Sequence, residues 1–212
     1  MNEPLRIALP KGRLLEEAIR LLDRVGMRPD VDHNATRKLM VDGNAGRVQF
    51  VTLKPIDIPV YVESGAIDAG IVGSDILREL DVDVYEPLDL GFGKCRLVLA
   101  APRGTPLPVG QALRVATKYP RTAKRFFAAR NAHVHVVRLE GSVEIAPILG
   151  LADGIVDLVE TGRTLADNDL VVVEEVEQVS AKLIINRTAM KMRSTEIRSL
   201  IAHLDSVLYA HS

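Results

Sequence analysis

Hydrophobic residues in this chain fall into two alternating rhythms. Short unbroken apolar runs read as buried strands, and runs with a 3.6-residue period read as helices facing a core. Leu5 to Pro10 predicts a strand. Leu14, Leu15, Ala18, Ile19, Leu22 and Val25 then share one helical face, and Gly26 supplies a stop. Val48 to Leu53 predicts a strand. Asp57 is a candidate N-cap with Pro59 in the first turn of a short helix reaching about Ser64. Ala69 to Val72 predicts the next strand, and Cys95 to Ala101 is apolar enough to be buried.

A second series follows. Strands are predicted at Leu113 to Thr117, Val134 to Leu139 and Ile155 to Val159. Helices are predicted at Arg121 to Arg130 and Val143 to Leu149. Leu170 to Asn186 holds two strand-like runs. From about Ser194, residues Ile197, Leu200, Ile201, Leu204, Val207 and Leu208 line one helical face. Strands alternating with helices imply an α/β fold with largely parallel sheets.

The two series echo one another. Leu5-Arg6-Ile7-Ala8 precedes Pro10-Lys11-Gly12-Arg13, and Leu113-Arg114-Val115-Ala116 precedes Lys118-Tyr119-Pro120-Arg121. Later, Gly65-Ala66-Ile67-Asp68 leads into Ile71-Val72, as Gly150-Leu151-Ala152-Asp153 leads into Ile155-Val156. The echo fits two α/β lobes of similar plan, or else two copies of ordinary βα grammar. Two lobes would create a cleft, a favoured place for a ligand.

Composition narrows the chemistry. With 27 Lys+Arg against 28 Asp+Glu, the 212 residues have a formal net charge of -1, so the basic excess of a nucleic-acid binder is missing. Aromatics are 4% with no Trp, which argues against base-stacking surfaces. With 47% hydrophobic and 26% charged residues, the chain can bury a core and is not expected to be disordered. The single cysteine, Cys95, excludes an intrachain disulfide and cysteine-based metal sites. Met1-Asn2-Glu3-Pro4 does not begin a signal peptide, and no apolar run approaches the ~18 residues of a membrane span. A soluble, reduced, cytoplasmic protein is expected.

The sharpest chemical signal is Ala152 to Leu165, where an apolar strand runs into Glu160-Thr161-Gly162-Arg163-Thr164. Glycine lets a ligand approach the backbone, threonines offer hydroxyl donors, and arginine adds charge. If a helix starts there, its N–H groups and dipole make an anion site. Asp157 and Glu160 would repel a bare phosphate but suit the hydroxyls of an attached sugar, so the pattern suggests a ribose-phosphate. The competing reading is a capped helix after a strand. It is not a Walker loop, because Gly-x-x-x-x-Gly-Lys is absent.

Pro10-Lys11-Gly12-Arg13 places two cations around a glycine at a strand end, as a second phosphate grip or a solvated basic turn. Gly70-Ile71-Val72-Gly73-Ser74-Asp75 is a strand, a Gly-rich turn and an acid that either caps or contacts a ligand. Lys94 and Arg96 flank Cys95, as ligand cations or surface charges. His133 and His135 alternate on one strand without a supporting metal signature, and no Gly-x-Ser-x-Gly elbow exists. Glu140 and Glu144 flank a predicted helix start, where capping or a site role both fit.

Taken in order, these segments resemble the ATP phosphoribosyltransferase family of histidine biosynthesis. The resemblance rests on Leu5 to Leu14, Asp57-Ile58-Pro59 with Tyr61-Val62, and Asp68 to Asp75. It continues through Arg114-Val115-Ala116-Thr117-Lys118-Tyr119-Pro120 and Glu140 through Leu165. It implies a two-lobed fold similar to type II periplasmic binding proteins. Lobe I would comprise 1–92 plus 176–212 on the nucleotide side. Lobe II, 93–175, would hold the phosphoribosyl-diphosphate loop.

The implied reaction moves phosphoribose from phosphoribosyl diphosphate to N1 of the ATP adenine, with Mg²⁺ and release of pyrophosphate. Thr161, Gly162, Arg163 and Thr164 would hold the 5′-phosphate beside Glu160. Asp157 and Asp153 would orient ribose hydroxyls. Lys11, Gly12, Arg13, Lys54 and Arg96 would meet the diphosphate and ATP phosphates, and Gly73 and Asp75 would face the nucleotide. Lys54 stands where family members often carry Arg, so the charge survives without the bidentate fork. No catalytic residue, general base or metal ligand is assigned. The chain ends after the Ile197–Leu208 helix, as in the family's short form. Such chains are expected in homo- or hetero-oligomers, paired with a histidyl-tRNA-synthetase-like regulatory subunit.

Overall fold

A computed structural model describes residues 3–31, 38–108 and 112–209. The chain forms two compact units. One runs to Gly93 and resumes at Ser180; the other is Lys94–Val179. The first begins β1 (Leu5–Pro10), α1 (Leu15–Arg24), β2 (Met40–Gly43) and β3 (Val48–Leu53). It continues as α2 (Ile58–Glu63), β4 (Ala69–Gly73), α3 (Ser74–Leu80) and β5 (Tyr85–Asp89). The second unit is β6 (Cys95–Pro102), β7 (Leu113–Thr117), α4 (Pro120–Ala128), β8 (Val134–Arg138), α5 (Ile145–Ile148), β9 (Gly154–Val159), α6 (Arg163–Asp167) and β10 (Leu170–Val179). The chain then returns to the first unit as β11 (Ala181–Ile185), α7 (Arg187–Met192) and α8 (Ser194–Tyr209).

Each unit is built on one sheet. The orders are β2-β3-β1-β4-β11-β5 and β10-β6-β9-β7-β8. Each sheet holds a parallel trio: β3-β1-β4 within one, and β9-β7-β8, ending at the edge strand β8, in the other. The flanking strands run antiparallel, β11 beside β4 and β6 beside β9. Strand–helix alternation therefore explains the parallel trios; β5, β6, β10 and β11 lie next to the two chain crossings, and β2 joins β3 as an antiparallel neighbour.

Burial follows the pleat. Leu5, Ile7 and Leu9 of β1 pack with α1 and with Ile197, Leu200 and Leu204 of α8. Ala8 faces the other layer with Ile58, Val62, Leu77 and Ile184. A strand covered on both faces has almost no polar side, which is why Leu5 to Pro10 is apolar except for the half-buried Arg6 near its amino end. In the second unit Val98, Ala116, Ile155 and Val159 pack beneath Val143, Ala146 and Leu165.

The echo has a specific structural meaning. Asp68 and Asp153 each precede the third strand of a parallel trio. Asp68 Oδ2 accepts the Arg6 N–H at 2.8 Å, and Asp153 Oδ2 accepts the Arg114 N–H at 2.8 Å. Each aspartate also returns its own N–H to the same partner's carbonyl, at 3.1 and 2.8 Å. Both follow a glycine in the left-handed region, Gly65 at φ 79° and Gly150 at φ 71°. Gly-x-x-Asp is thus a staple that fastens the amino end of one strand to its neighbour.

Several elements differ from expectation. α5 is shorter than Val143–Leu149, and Asp57 occupies the α2 cap position without a side-chain hydrogen bond. Ser74 to Leu80 is a helix where the sequence suggested only a turn and an acidic cap.

Candidate active site

Because β7, β8 and β9 are parallel, their carboxyl ends share one edge of the sheet, the edge at which α/β sheets collect ligands. Thr117-Lys118-Tyr119, Leu139 to Ser142 and Glu160 to Gly162 leave the sheet there. Gly162 sits at the N-cap of α6 with φ 79° and ψ 0°. A Cβ on it would meet only Val159 Cγ1 at 3.8 Å, so glycine is needed for its backbone angle rather than for space. Thr161 Oγ1 accepts the Arg163 N–H at 3.4 Å, and the Ala166 N–H closes back on the Gly162 carbonyl at 3.1 Å. The N–H groups of Thr164 and Leu165 lie in the first turn, where no intrahelical acceptor exists.

These residues line a concavity of about 240 Å³ together with Glu144, Asp157 and Val159. With only five residues in α6, few peptide dipoles add, so the helix dipole expected from the sequence is small. Individual N–H groups and the two threonine hydroxyls remain as donors. Arg163 is exposed and spans α6 to Asp167 at 3.8 Å.

Asp157 is the unusual acid. It shares its sheet face with Ile155 and Val159, beneath the apolar layer of α5 and α6. Burial raises its carboxyl above the ordinary value, Lys118 opposes the shift, and Glu144 adds to it. Lys118 Nζ stands 3.4 Å from Asp157 Oδ1. Oδ1 is buried and meets no donor in good hydrogen-bond geometry among the described residues, so the Lys118 contact is chiefly Coulombic, and the Leu158 N–H also favours the charged form. A desolvated, underused acceptor beside a donor-rich turn fits a ligand that brings its own hydroxyls.

Arg96 pairs in register with Val159, which brings it to the same edge, but it shares its charge with Glu175 at 3.5 Å. Glu160 is exposed at the start of the loop.

Asp153 does not join this group. It lies before β9, six residues from the loop end, roughly 20 Å along an extended strand. Its carboxylate is held by Arg114, whose Nη2 donates at 2.6 Å, and that bond lowers its pKa. The correction is physical: the sequence showed an acid next to the motif but not which strand end it occupies. Asp153→Ala is therefore a stability variant. Losing the acceptor of the Arg114 N–H should cost about 1–2 kcal/mol and leave the KM for the sugar donor unchanged. Chemical denaturation beside steady-state kinetics checks this.

In the first unit, β1, β3 and β4 are parallel and their carboxyl ends again align. The Lys11 N–H donates to the Leu53 carbonyl at 2.8 Å, which sets Lys11 beside Lys54, both exposed. Gly12 has φ 86° and nothing within 4 Å of a would-be Cβ. Arg13 Nη1 donates to the Gly93 carbonyl at 3.2 Å. The register that pairs Ile7 with Ala69 brings Gly73 level with Lys11. Asp75 is only 6% exposed, and its carboxylate folds back over Gly73 at the start of α3, against the place a Gly73 Cβ would take. A side chain at Gly73, with φ −70°, would displace that carboxylate.

Lys118 and Thr117 were absent from the sequence-predicted site. The signal for Lys118 was present in the echo, which places its turn where the first series has Lys11-Gly12-Arg13. Among the described residues, no group of three or more His, Cys, Asp or Glu could hold a metal ion. No helix among them is long and apolar enough to cross a membrane.

Two mixed sheets with carboxyl-edge sites define a two-lobed, type II periplasmic-binding-protein-like α/β protein. The periplasmic aliphatic sulphonate binding protein SsuA of Escherichia coli shares this fold, with a TM-score of 0.62 at 13% identity, covering 98% of this chain and 73% of SsuA. Much stronger is the likeness to the ATP phosphoribosyl transferase (HisG:HisZ) complex from Thermotoga maritima. There the TM-score is 0.85 at 31% identity, over 98% of this chain and 100% of that one. An ATP phosphoribosyltransferase of Caldanaerobacter subterraneus subsp. tengcongensis is 46% identical over 202 residues, 95% of this chain and 96% of that protein. The family model HisG: ATP phosphoribosyltransferase matches residues 54–206. This chain belongs to the ATP phosphoribosyltransferase family.

Proposed function

We propose that this chain is the catalytic subunit that transfers phosphoribose from phosphoribosyl diphosphate to N1 of ATP adenine, the first step of histidine biosynthesis. The observation that carries the reading is the turn after β9. Its left-handed Gly162, two threonine hydroxyls and first-turn N–H groups surround a concavity with a desolvated aspartate behind it. The sugar donor's 5′-phosphate takes the donors of 161–165. Asp157, as a carboxylate, accepts from the ribose hydroxyls, a division of labour that a bare phosphate would not need. The cations Lys11, Arg13 and Lys54 are assigned to the phosphates of ATP and the diphosphate.

Displacement at C1′ forms the N1–C1′ bond and breaks the bond to the diphosphate oxygen, whose electron pair leaves with pyrophosphate. Adenine N1 already presents a lone pair, so alignment and charge stabilisation are the chain's main tasks. Mg²⁺ belongs to this reading as a companion of the diphosphate. The described residues offer no ready-made cage, and this ion commonly needs only one or two carboxylates when substrate phosphates complete its shell. Nucleotide and sugar-phosphate substrates make the cytoplasm the proposed place of action. The relative solved as a HisG:HisZ complex supports assembly with a histidyl-tRNA-synthetase-like regulatory subunit.

The test is turnover. The full chain, with its regulatory subunit, should convert ATP and phosphoribosyl diphosphate with Mg²⁺ into the N1 adduct and pyrophosphate in equal amounts. Tight binding of both without any adduct would instead identify a binding module.

A further inference from the structure

One hydroxyl holds both sides of the Asp157–Lys118 contact. Thr117, fully buried at the end of β7, donates from Oγ1 to the Val156 carbonyl at 2.6 Å and accepts the Tyr119 N–H at 2.9 Å. The first bond fixes the residue before Asp157, and the second fixes the residue after Lys118. Continuing the register that pairs Ala116 with Ile155 sets Lys118 opposite Asp157. The Tyr119 ring is buried, and Lys118 Nζ lies 5.1 Å from its centroid, so the ammonium is drawn toward both the ring and the acid. The β7 turn thus delivers a cation to a buried carboxylate oxygen that has no other donor in good geometry among the described residues.

We propose that Lys118 is a positioning residue of this site, keeping Asp157 in the carboxylate form that ribose hydroxyls require, with the Thr117 hydroxyl locking the two together. The inference rests on the sugar-donor reading given above. A carboxylate can accept from two ribose hydroxyls, whereas a protonated carboxyl turns one of its oxygens into a donor. Burial favours the protonated form, and Glu144, at the N-cap of α5, pushes the same way. On the loop, Glu160 adds negative charge and Arg163 is turned to Asp167. On the neighbouring strands, Arg96 and Glu175 share the Asp157 face and neutralise each other at 3.5 Å. Lys118 is therefore the cation in direct contact that opposes burial, with the Leu158 N–H in support, and an opposite charge at this range typically lowers a carboxylate pKa by about 1–3.

The experiment is the pH dependence of kcat/KM for phosphoribosyl diphosphate in the full chain with its regulatory subunit, for wild type, Lys118→Met, Lys118→Arg and Asp157→Asn. In Lys118→Met the acid limb should move up by about one pH unit or more, and the loss relative to wild type should be largest at low pH and shrink as pH rises. Lys118→Arg should return the limb close to wild type. Lys118 is 37% exposed, so Met is tolerated sterically, and Lys118→Gln serves as a second neutral variant. An acid limb unmoved in both neutral variants, while Asp157→Asn still raises the KM, overturns the role of Lys118 alone. If Asp157→Asn also leaves the KM unchanged, the sugar-donor reading fails with it.

Discussion

Replacing Thr161 and Thr164 together by valine will raise the KM for phosphoribosyl diphosphate by roughly a hundredfold or more. Each hydroxyl is exposed at the concavity and can donate to an anionic oxygen. Hydrogen bonds to charged groups are worth about 1.5 kcal/mol or more each, and two such losses exceed two powers of ten. Valine keeps the shape of threonine, and neither position is in the core, so the thermal midpoint should hold. The KM for ATP should change far less, because the nucleotide phosphates are assigned to the other unit. Steady-state kinetics with each substrate varied in turn separates these outcomes. A folded double variant with an unaltered sugar-donor KM removes the loop from the site.

The second large effect concerns Asp157→Asn, which should weaken the enzyme and strengthen the fold. Asparagine keeps the size but cannot present two acceptor oxygens to ribose, so the sugar-donor KM should rise by about tenfold or more. Stability should move the other way at neutral pH. Burial raises the folded-state pKa of Asp157. A carboxyl with a raised folded pKa gives stability that is complete below its unfolded value, near 4, and is lost as pH climbs through the folded value. Asparagine removes that loss. The gain in thermal midpoint should therefore be full at pH 7–8 and fade toward pH 4. A variant less stable than wild type at pH 7 would mean that Asp157 is structurally satisfied in a way this account denies.

Much of this architecture can be read from the residues because the physics is local. Leu5 to Pro10 and Ile155 to Val159 are apolar on both faces except at Arg6 and Asp157 because both faces are covered, and α8 repeats its apolar stripe over the first unit's core. β5 was missed because Tyr-Glu-Pro-Leu-Asp carries a proline and two acids, which an edge strand tolerates and a propensity reading rejects. α3 was missed because Gly-Ser-Asp looks like a turn until Leu77 is seen to pack below.

The site divides the same way. Gly162 and its threonines are contiguous, so spacing alone marks them. Asp153 and Asp157 are four residues apart and chemically alike, and only the strand direction assigns one to a staple and the other to the site. Asp75 reads as a cap or a ligand contact, and its burial over Gly73 is set by the fold around α3. Lys118 is brought to Asp157 by pairing between β7 and β9, a contact across 39 residues that no local pattern encodes.

The most direct measurement is a crystal structure with phosphoribosyl diphosphate bound. The 5′-phosphate oxygens should lie within hydrogen-bond distance of the Thr161 and Thr164 hydroxyls and the first backbone N–H groups of α6, with the ribose hydroxyls on Asp157. A sugar donor held elsewhere, with the 161–165 turn in contact only with solvent, would contradict this assignment.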